Sequence, residues 1–329
     1  MSKTYIQGIE NITSMDIKYA QELGYCIKHV GISRIDDDSI ECMAHPVLIP
    51  HDNIFSNVGG AMNALLVKGD RFGTSMLYGN GAGGDATASL FDGSGLFDTI
   101  RGGDGADIIT GGEGDDIITG GSGADTINVD KGTDTISDLG GTSGGESDIL
   151  VVSKDAIAKA TVKVSFTATS DTKNDAANAV DKAIISTDAD GATIDMSSAV
   201  GVYTLTGGDG VDKLTGSAGA DTINAGKGDD EITIAAAGKG DTDVMDGGDG
   251  TGDVLKLSTG KHTFADDTKF KNIEKIETDA SGSEVVLTAQ KEALEITGGD
   301  GVDKITGGEG VDTINAGKGD DEITIAAAG

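Results

Sequence analysis

The sequence lacks several features that ordinary globular proteins have. Its 329 residues include no tryptophan, only two prolines and two cysteines, and aromatic residues make up 4%. Cys26 and Cys42 alone cannot build a disulfide framework, and we interpret both as small core residues. Lysine and arginine total 24 against 56 acidic residues, which gives a net charge of −32. Because nucleic-acid affinity depends on cations that neutralise phosphates, this balance excludes a nucleic-acid partner.

Long apolar runs are also absent. None approaches the roughly 18 residues of a membrane-spanning helix, so we predict no transmembrane insertion. The first residues have no apolar core of the signal-peptide type, and we expect no export through an N-terminal signal. H-E-x-x-H does not occur, which argues against a metalloprotease. G-x-S-x-G occurs only as GTSGG from Gly141, without the strand-to-helix pattern of a nucleophile elbow, which argues against a lipase. His262 has no partner residues in a catalytic pattern, and we predict no catalytic residues.

The charge and the glycines are unevenly distributed. Residues 91–329 carry −28 of the net charge, whereas both cysteines and both prolines lie in the first 90 residues. We therefore place a domain boundary near residue 90. Sequence this acidic, glycine-rich and poor in aromatics either stays disordered or is folded by a ligand, and a cation is the obvious candidate.

A nine-residue repeat dominates the second region. Its form is G-G-x-G-x-D-x-U-x, where U is aliphatic, and it occurs in three blocks that begin at Gly102, Gly207 and Gly298. The first block reads GGDGADIIT, GGEGDDIIT, GGSGADTIN and VDKGTDTIS. Residues 206–238 and 297–329 are identical at 29 of 33 positions. A fixed short period of this kind predicts a solenoid of stacked coils.

The residue types explain what such a repeat can do. Glycine reaches backbone conformations closed to other residues, so the first part of each repeat can turn sharply and aim its carbonyl groups inward. The aspartate adds a carboxylate, and Ca²⁺ prefers six to eight oxygen ligands of this mixed kind. The x-U-x segment predicts a short strand with one inward aliphatic side chain. A flexible linker without a ligand is the alternative, and the regularity of the repeats argues against it.

These blocks resemble the RTX nonapeptide repeats of proteins exported by type I secretion, a family that forms a calcium-bound parallel β-roll. The resemblance implies that each ion lies between repeats n and n+2, which pairs Asp107 with Asp125, Asp116 with Asp134, Asp212 with Asp230 and Asp303 with Asp321. Asp221 and Asp312 would face the opposite flank. The implied metal site residues are Gly103, Gly105, Asp107, Gly112, Gly114, Asp116, Gly121, Gly123, Asp125, Asp134, Gly208, Gly210, Asp212, Asp221, Gly228, Asp230, Gly299, Gly301, Asp303, Gly308, Gly310, Asp312, Gly319 and Asp321.

Some repeats depart from the pattern. Val129 and Asp130 replace the glycine pair of the fourth repeat, Ser217 and Ala218 alter another repeat, and Ala225 and Ala316 each replace a first glycine. We expect sites that use those loops to be weaker or empty. Family members carry a C-terminal export signal beyond the repeats; none is visible here, and we expect the chain to be truncated.

The segments between the blocks alternate like strands. Val162, Val164 and Phe166 are expected on one face, and a short helix is predicted at about 175–184. We predict a mostly β fold: parallel β-roll blocks at 91–140, 206–250 and 297–329, joined by β-rich spacers at 141–205 and 251–296. Such spacers resemble those of surface-layer and adhesin-like RTX proteins.

Residues 1–90 have a different, α/β pattern. A helix is predicted after Thr13, and strands are predicted at 25–32, 40–44, 64–68 and 74–78. The segments YIQGIENI from Tyr5, ELGY from Glu22 and GNGAGG from Gly79 resemble the second half of the catalytic domain of homoserine dehydrogenase, over roughly residues 4–89. In that family the glycine loop approaches the nicotinamide, which makes Gly79, Gly81 and Gly83 candidate cofactor contacts.

The leading hypothesis is therefore a calcium-binding repeat protein, secreted or at the cell surface, whose acidic rolls fold when Ca²⁺ binds. Cell-surface components or further copies of the chain are its expected partners. The alternative is a cytoplasmic NAD(P)-dependent homoserine dehydrogenase. We expect that activity to be absent, because the nucleotide-binding domain and the catalytic lysine of the family would lie upstream of Met1.

Overall fold

A computed structural model describes residues 25–28, 31–34, 65–68, 76–78, 89–93, 95–141, 147–175, 183–188, 190–234 and 242–325. Within these ranges the chain contains strands, turns and one short 3-10 helix, and no α-helix. The strands in the first part of the chain are β1 (Tyr25–Lys28), β2 (Gly31–Arg34), β3 (Leu65–Lys68), β4 (Met76–Tyr78), β5 (Ser89–Asp92), β6 (Thr99–Asp104), β7 (Ile108–Thr110), β8 (Ile117–Ser122), β9 (Thr126–Ile136), β10 (Ile149–Val162), β11 (Ser165–Thr167), β12 (Lys173–Asn174), β13 (Ala183–Thr187) and β14 (Thr193–Asp195).

The second half continues in the same short strands. They are β15 (Thr204–Thr206), β16 (Lys213–Thr215), β17 (Thr222–Asn224), β18 (Glu231–Ile234), β19 (Val244–Asp246), β20 (Val254–Leu257), β21 (Gly260–Thr263), β22 (Phe270–Lys271), β23 (Lys275–Thr278), β24 (Ser283–Val286), β25 (Glu295–Thr297), β26 (Lys304–Thr306), β27 (Thr313–Asn315) and β28 (Glu322–Thr324). The 3-10 helix, η1 (Asp267–Lys269), is capped by the Asp266 carboxylate, which accepts from the Thr268 N–H.

The strands stack as a parallel β-solenoid, which confirms the predicted β-roll. From β3 onward the strands pair in parallel with strands of the neighbouring coils: β6 pairs with β8 through Thr99 and Ile117, and β15 pairs with β17 through Thr204 and Thr222. Two nonapeptides make one coil, so their x-U-x strands lie on opposite faces. The stacking runs through both spacers, where β10 pairs with β13 and β20 pairs with β23.

The core is a set of apolar columns that follow from the U position of the repeat. On one face Phe91, Ile109, Ile127 and Leu150 stack in register on consecutive coils, and all four are buried. Because a three-residue strand such as β16 or β17 buries only one side chain, each such coil contributes little apolar area by itself, and stability depends on stacking. His262 occupies one such inward position, opposite Val285 in the register of β21 and β24.

The outer surface carries ion pairs between coils at the third position of the repeat. Lys131 pairs with Glu113, Lys227 with Asp209 and Lys318 with Asp300, at 2.9 to 3.0 Å. All of these side chains are exposed, so each pair adds little stability. Their alignment shows that equivalent positions of repeats n and n+2 lie directly above each other.

Three predictions of local structure are corrected by the structure, and two others fall on residues outside the described ranges. The predicted strand at 25–32 is two antiparallel strands, β1 and β2, in which Lys28 pairs with Gly31. The helix predicted at 175–184 is wrong at its end, since Ala183 and Ile184 belong to β13, while 176–182 lie outside the described residues. Val164 is exposed because the chain bends between β10 and β11. The helix after Thr13 and the strand at 40–44 also lie outside the described residues.

Candidate metal sites

The aspartates of the repeats form hydrogen-bonded ladders along the solenoid. In the first block Asp125 Oδ1 accepts from the backbone N–H of Asp107 at 2.8 Å, and Asp134 Oδ1 accepts from the N–H of Asp116 at 3.0 Å. Asp116 in turn accepts from the N–H of Asp98 at 2.7 Å. Because the coils stack in parallel and in register, each carboxylate lies beside the same position of the neighbouring coil. The structure thus brings together both aspartate pairs expected in this block.

The other two blocks repeat this arrangement. Asp230 Oδ1 accepts from the N–H of Asp212 at 2.8 Å, and Asp321 Oδ1 accepts from the N–H of Asp303 at 3.0 Å. Asp221 lies on the other flank, where its Oδ1 accepts from the Tyr203 N–H at 2.8 Å, and Asp312 accepts from the Leu294 N–H at 3.1 Å.

The second carboxylate oxygens differ between the blocks. In the first block the Oδ2 atoms of Asp116, Asp125 and Asp134 are buried and have no hydrogen-bond partner among the described residues. A methyl group placed on Gly111 would lie 2.6 Å from Asp116 Oδ2 and 2.8 Å from Asp134 Oδ2. These two oxygens therefore converge on one point beside Gly111.

In the second and third blocks several Oδ2 atoms bond to their own loop. Asp212 Oδ2 accepts from the Gly208 N–H at 2.8 Å, and Asp303 Oδ2 accepts from the Gly299 N–H at 3.0 Å. Asp312 Oδ2 accepts from the Gly308 N–H at 2.9 Å. Each of these carboxylates already accepts two backbone hydrogen bonds, which partly compensate its burial. A bound cation would therefore stabilise them less than it would stabilise the carboxylates of the first block.

Ser217 changes the surroundings of Asp221. Its N–H and its hydroxyl donate to Asp221 Oδ2 at 2.6 and 2.9 Å, and the hydroxyl also lies 3.0 Å from the Gly201 carbonyl oxygen. The departure from the glycine pattern thus places a protein donor on an oxygen that a cation would otherwise contact.

The glycines fall into two groups. In the first block the second and fourth positions of the first three repeats all have positive φ, namely Gly103, Gly105, Gly112, Gly114, Gly121 and Gly123, and so do Gly228 and Gly319. At Gly121, with φ of 111°, a side chain would also collide with the backbone of Gly103 on the preceding coil. By contrast Gly208, Gly210, Gly299, Gly301, Gly308 and Gly310 lie outside the left-handed region, and glycine is required there by the close approach of neighbouring backbone.

Burial of the carboxylates changes their acidity. Loss of solvation, with smaller contributions from neighbouring carboxylates, raises the pKa of Asp125 to about 8 and that of Asp116 and Asp134 to about 7. The same causes raise the pKa of Asp230 to about 6. An ionised, buried carboxylate is unfavourable unless a cation compensates it.

The oxygens present fit a hard divalent cation. Within the described ranges no three acidic, histidine or cysteine side chains group as a metal cluster would require. Paired carboxylates next to glycine-rich turns instead offer a mixed set of carboxylate and backbone carbonyl oxygens, which suits Ca²⁺. Asp116 and Asp134 would hold such an ion through their Oδ2 atoms.

Sequence reasoning missed acidic residues that continue the ladders outside the repeats. Asp148 accepts from the N–H of Asp125, Asp243 from that of Asp221 and Asp253 from that of Asp230. Asp138 accepts from the N–H groups of both Gly120 and Gly121, and Glu274 accepts from the N–H of Asp253. A signal was present: Asp148, Asp243 and Asp253 each stand two residues before a buried aliphatic or methionine side chain, as in the repeat.

The candidate cofactor contacts Gly79, Gly81 and Gly83 lie outside the described residues. His262 is buried, and its Nε2 lies 2.7 Å from the Ser258 carbonyl oxygen. Burial lowers the pKa of His262 below the ordinary value of a histidine, because loss of solvation disfavours the charged ring.

Two family models match the chain. The model described as RTX calcium-binding nonapeptide repeat (4 copies) matches residues 92–127, 101–136, 204–233 and 295–324. The model of homoserine dehydrogenase matches residues 1–91. The chain therefore contains RTX-type repeats and a segment of homoserine dehydrogenase type, as the sequence resemblances indicated.

Curated relatives match the first segment. Homoserine dehydrogenase of Pseudomonas aeruginosa is 48% identical over 87 residues, which is 26% of this chain and 20% of that protein. Homoserine dehydrogenase of Neisseria gonorrhoeae is 48% identical over 88 residues, 27% of this chain and 20% of that protein. The Helicobacter pylori enzyme is 44% identical over 89 residues, 27% of this chain and 21% of that protein. The chain thus spans about a fifth of the length of these relatives.

No solved structure matches the chain. In the part of the chain that the structure describes, no helix has the length and apolar character needed to cross a membrane.

Proposed function

We propose that this protein is a secreted or cell-surface calcium-binding protein with a structural or interaction role, and that Ca²⁺ drives the folding of its acidic solenoid. The observation that carries the proposal is the pair of buried Oδ2 atoms of Asp116 and Asp134 that converge beside Gly111. The match of the repeats to a calcium-binding family model supports it independently.

Coupling of calcium to folding follows from linkage. An ion that binds only the folded state stabilises it by RT ln(1 + [L]/Kd), about 2.7 kcal/mol per site at a concentration one hundred times Kd. With several sites along one ladder, the free energy of unfolding would depend strongly on the Ca²⁺ concentration. Repulsion within the acidic segment, with −28 of the net charge, opposes the compact state when Ca²⁺ is scarce.

The blocks at 91–140, 206–250 and 297–329 would carry the ions, while the spacers at 141–205 and 251–296 would extend the solenoid between them. We propose that the first block binds most tightly, because the Oδ2 atoms of Asp116, Asp125 and Asp134 have no hydrogen-bond donor among the described residues. The site of Asp221 would be weaker, because Ser217 already donates to it. Export by type I secretion, and cell-surface components or further copies of the chain as partners, are consistent with this acidic repeat solenoid.

Circular dichroism of the full chain tests the proposal. We expect disordered spectra with a chelator and β-structure with millimolar Ca²⁺, while Mg²⁺ at the same concentration has little effect because it requires smaller, octahedral sites. A β-spectrum that is equally strong with the chelator would refute calcium-driven folding, and equilibrium dialysis without bound Ca²⁺ would refute calcium binding.

A second candidate function rests on the match of residues 1–91 to homoserine dehydrogenase. Under this reading Gly79, Gly81 and Gly83 contact NAD(P). Oxidation of NADPH with aspartate semialdehyde, followed at 340 nm, tests this function. A rate above that of a heat-denatured sample would support an enzyme. The absence of such a rate would reject the enzymatic function and would not affect the proposed calcium binding.

A further inference from the structure

One glycine-rich segment lies outside every repeat that the sequence pattern or the family model covers. Residues 247–255 read GGDGTGDVL. In the nonapeptide one residue separates the glycine at position 4 from the aspartate, whereas here two residues, Thr251 and Gly252, separate Gly250 from Asp253. In the structure this segment nevertheless stacks on a true repeat. Asp249 N–H donates to the Gly226 carbonyl at 2.7 Å, and the Gly228 N–H donates to the Asp249 carbonyl at 3.0 Å.

The extra residue does not displace the aspartate. Thr251 is exposed, and its N–H donates to Asp229 Oδ1 at 3.1 Å, so the additional residue is accommodated at the outside of the loop. Asp253 consequently reaches the ladder position, where its Oδ1 accepts from the Asp230 N–H at 2.7 Å. Its strand β20 then pairs in register with β18.

Two carboxylate oxygens at this junction have the environment of a cation site. Asp230 and Asp253 are each 1% exposed, and the Oδ2 atom of each has no hydrogen-bond partner within the described part of the chain. Glu274, Asp229 and Asp246 act on Asp253 electrostatically, and all three are acidic. No protein cation among these neighbours compensates the buried charge.

Gly250 lies close against the Asp253 carboxylate and the Gly228 carbonyl oxygen, 2.2 Å from which a methyl group on Gly250 would lie. A methyl group on Gly250 would lie 2.7 Å from Asp253 Oδ2 and 2.8 Å from Asp253 Oδ1. Only glycine therefore fits beside this carboxylate. Backbone carbonyls of the two adjacent glycine-rich loops can supply the further oxygens that a hard cation needs.

We propose that Asp230 and Asp253, with the loops 226–230 and 247–253, bind an additional divalent cation at the junction between the second block and the following spacer. This inference rests on the proposed calcium-binding function and adds a site that the repeat motif does not assign. The site extends the row of ions beyond the last nonapeptide of the block and fixes the spacer coil to it.

Equilibrium dialysis of the full chain with radioactive Ca²⁺ tests this site. We expect Asp253→Asn to bind one Ca²⁺ fewer per chain than the wild type. The control is Glu277→Gln, which removes one negative charge at an exposed position of β23, outside both loops, and we expect it to bind the wild-type number. A wild-type number in Asp253→Asn would overturn the inference while leaving the proposed function intact; a wild-type chain that binds no Ca²⁺ would instead overturn the proposed function.

The variant should fold, because asparagine keeps a side-chain oxygen that can accept from the Asp230 N–H. Circular dichroism at saturating Ca²⁺ checks this. If Asp253→Asn lacks β-structure, Asp253→Glu replaces it: the longer side chain keeps the charge but moves the carboxylate. For this variant we expect at least a tenfold loss of affinity at one site, and unchanged affinity at all sites would reject the proposal.

Discussion

Asp134 lies one coil beyond Asp116, and its Oδ1 accepts a 3.0 Å hydrogen bond from the Asp116 N–H while the Oδ2 atoms of both residues point to one place beside Gly111. One oxygen of Asp134 therefore holds the coils together, and the other is left for a ligand. The repeat places both functions on a single side chain because parallel stacking sets each aspartate beside the equivalent aspartate of the preceding coil.

The double variant Asp116→Asn with Asp134→Asn tests this division of roles. Asparagine can keep the backbone hydrogen bond but has no negative charge, so we expect at least a tenfold loss of calcium affinity at one site with the β-fold retained at saturating Ca²⁺. Isothermal titration calorimetry measures it. The control, Glu113→Gln with Asp130→Asn, removes two exposed charges from the same block; an equal loss in both double variants would mean that net charge alone matters.

The pH dependence without calcium should have a definite sign. Burial raises the pKa of Asp125 to about 8 and of Asp116 and Asp134 to about 7, far above the ordinary value near 3.9. The folded state therefore binds protons more tightly than the unfolded state, and its stability decreases as pH rises from about 5 to 8. Nearby carboxylates, including Asp107, Asp138 and Asp148 around Asp125, act in the same direction.

We expect the chelator-treated chain to show more β-structure at pH 5 than at pH 8 by circular dichroism. Calcium binding requires the ionised carboxylates, so calcium affinity should change in the opposite direction and increase from pH 5 to pH 8. Less β-structure at pH 5 than at pH 8 in the chelator-treated chain would contradict the burial of these groups.

Gly111 and Gly95 form a matched pair for testing the position of the ion. A methyl group on Gly111 would occupy the point between Asp116 Oδ2 and Asp134 Oδ2, whereas one on Gly95 meets no atom within 4 Å. Neither glycine has φ in the left-handed region. We expect Gly111→Ala to weaken calcium binding in the first block at least tenfold and Gly95→Ala to change it less than about twofold. Calorimetry measures both affinities. Equal effects of the two substitutions would mean that the ion binds elsewhere.

The ladder and the apolar columns could be predicted from the sequence because the repeat has a fixed period. Asp107 and Ile109 recur with constant spacing, and parallel stacking then determines their neighbours. Asp148 and Asp253 could not be found in this way, because each lies 23 residues after its ladder partner, Asp125 and Asp230, instead of 18. Extra residues at the outside of a coil, such as Thr251, interrupt the nine-residue period of the sequence. They do not change which residues reach the aspartate ladder and the apolar core.

The antiparallel pairing of β1 with β2 was also beyond prediction. Residues 25–30 contain no proline or glycine and have the pattern of one strand, and periodicity does not report where a chain reverses direction. The sequence also could not predict the backbone donors to Asp212 and Asp221. The same carboxylate can accept a hydrogen bond from its own loop or contact an ion, and the repeat pattern is compatible with both.

The internal duplication offers a test of how stacking supplies stability. Ile232 and Ile323 occupy equivalent positions in identical segments, but Ile232 is 1% exposed between β16 and β20, whereas Ile323 is 48% exposed because β28 pairs only with β26 in the described part of the chain. We expect Ile232→Ala to lower the free energy of unfolding by about 3 kcal/mol, within the range for a buried aliphatic side chain. Ile323→Ala should cost about 1 kcal/mol or less, because much of its surface already contacts solvent. Urea unfolding at saturating Ca²⁺ measures both, and equal losses would show that local sequence, and not the covering coil, determines the contribution of each isoleucine.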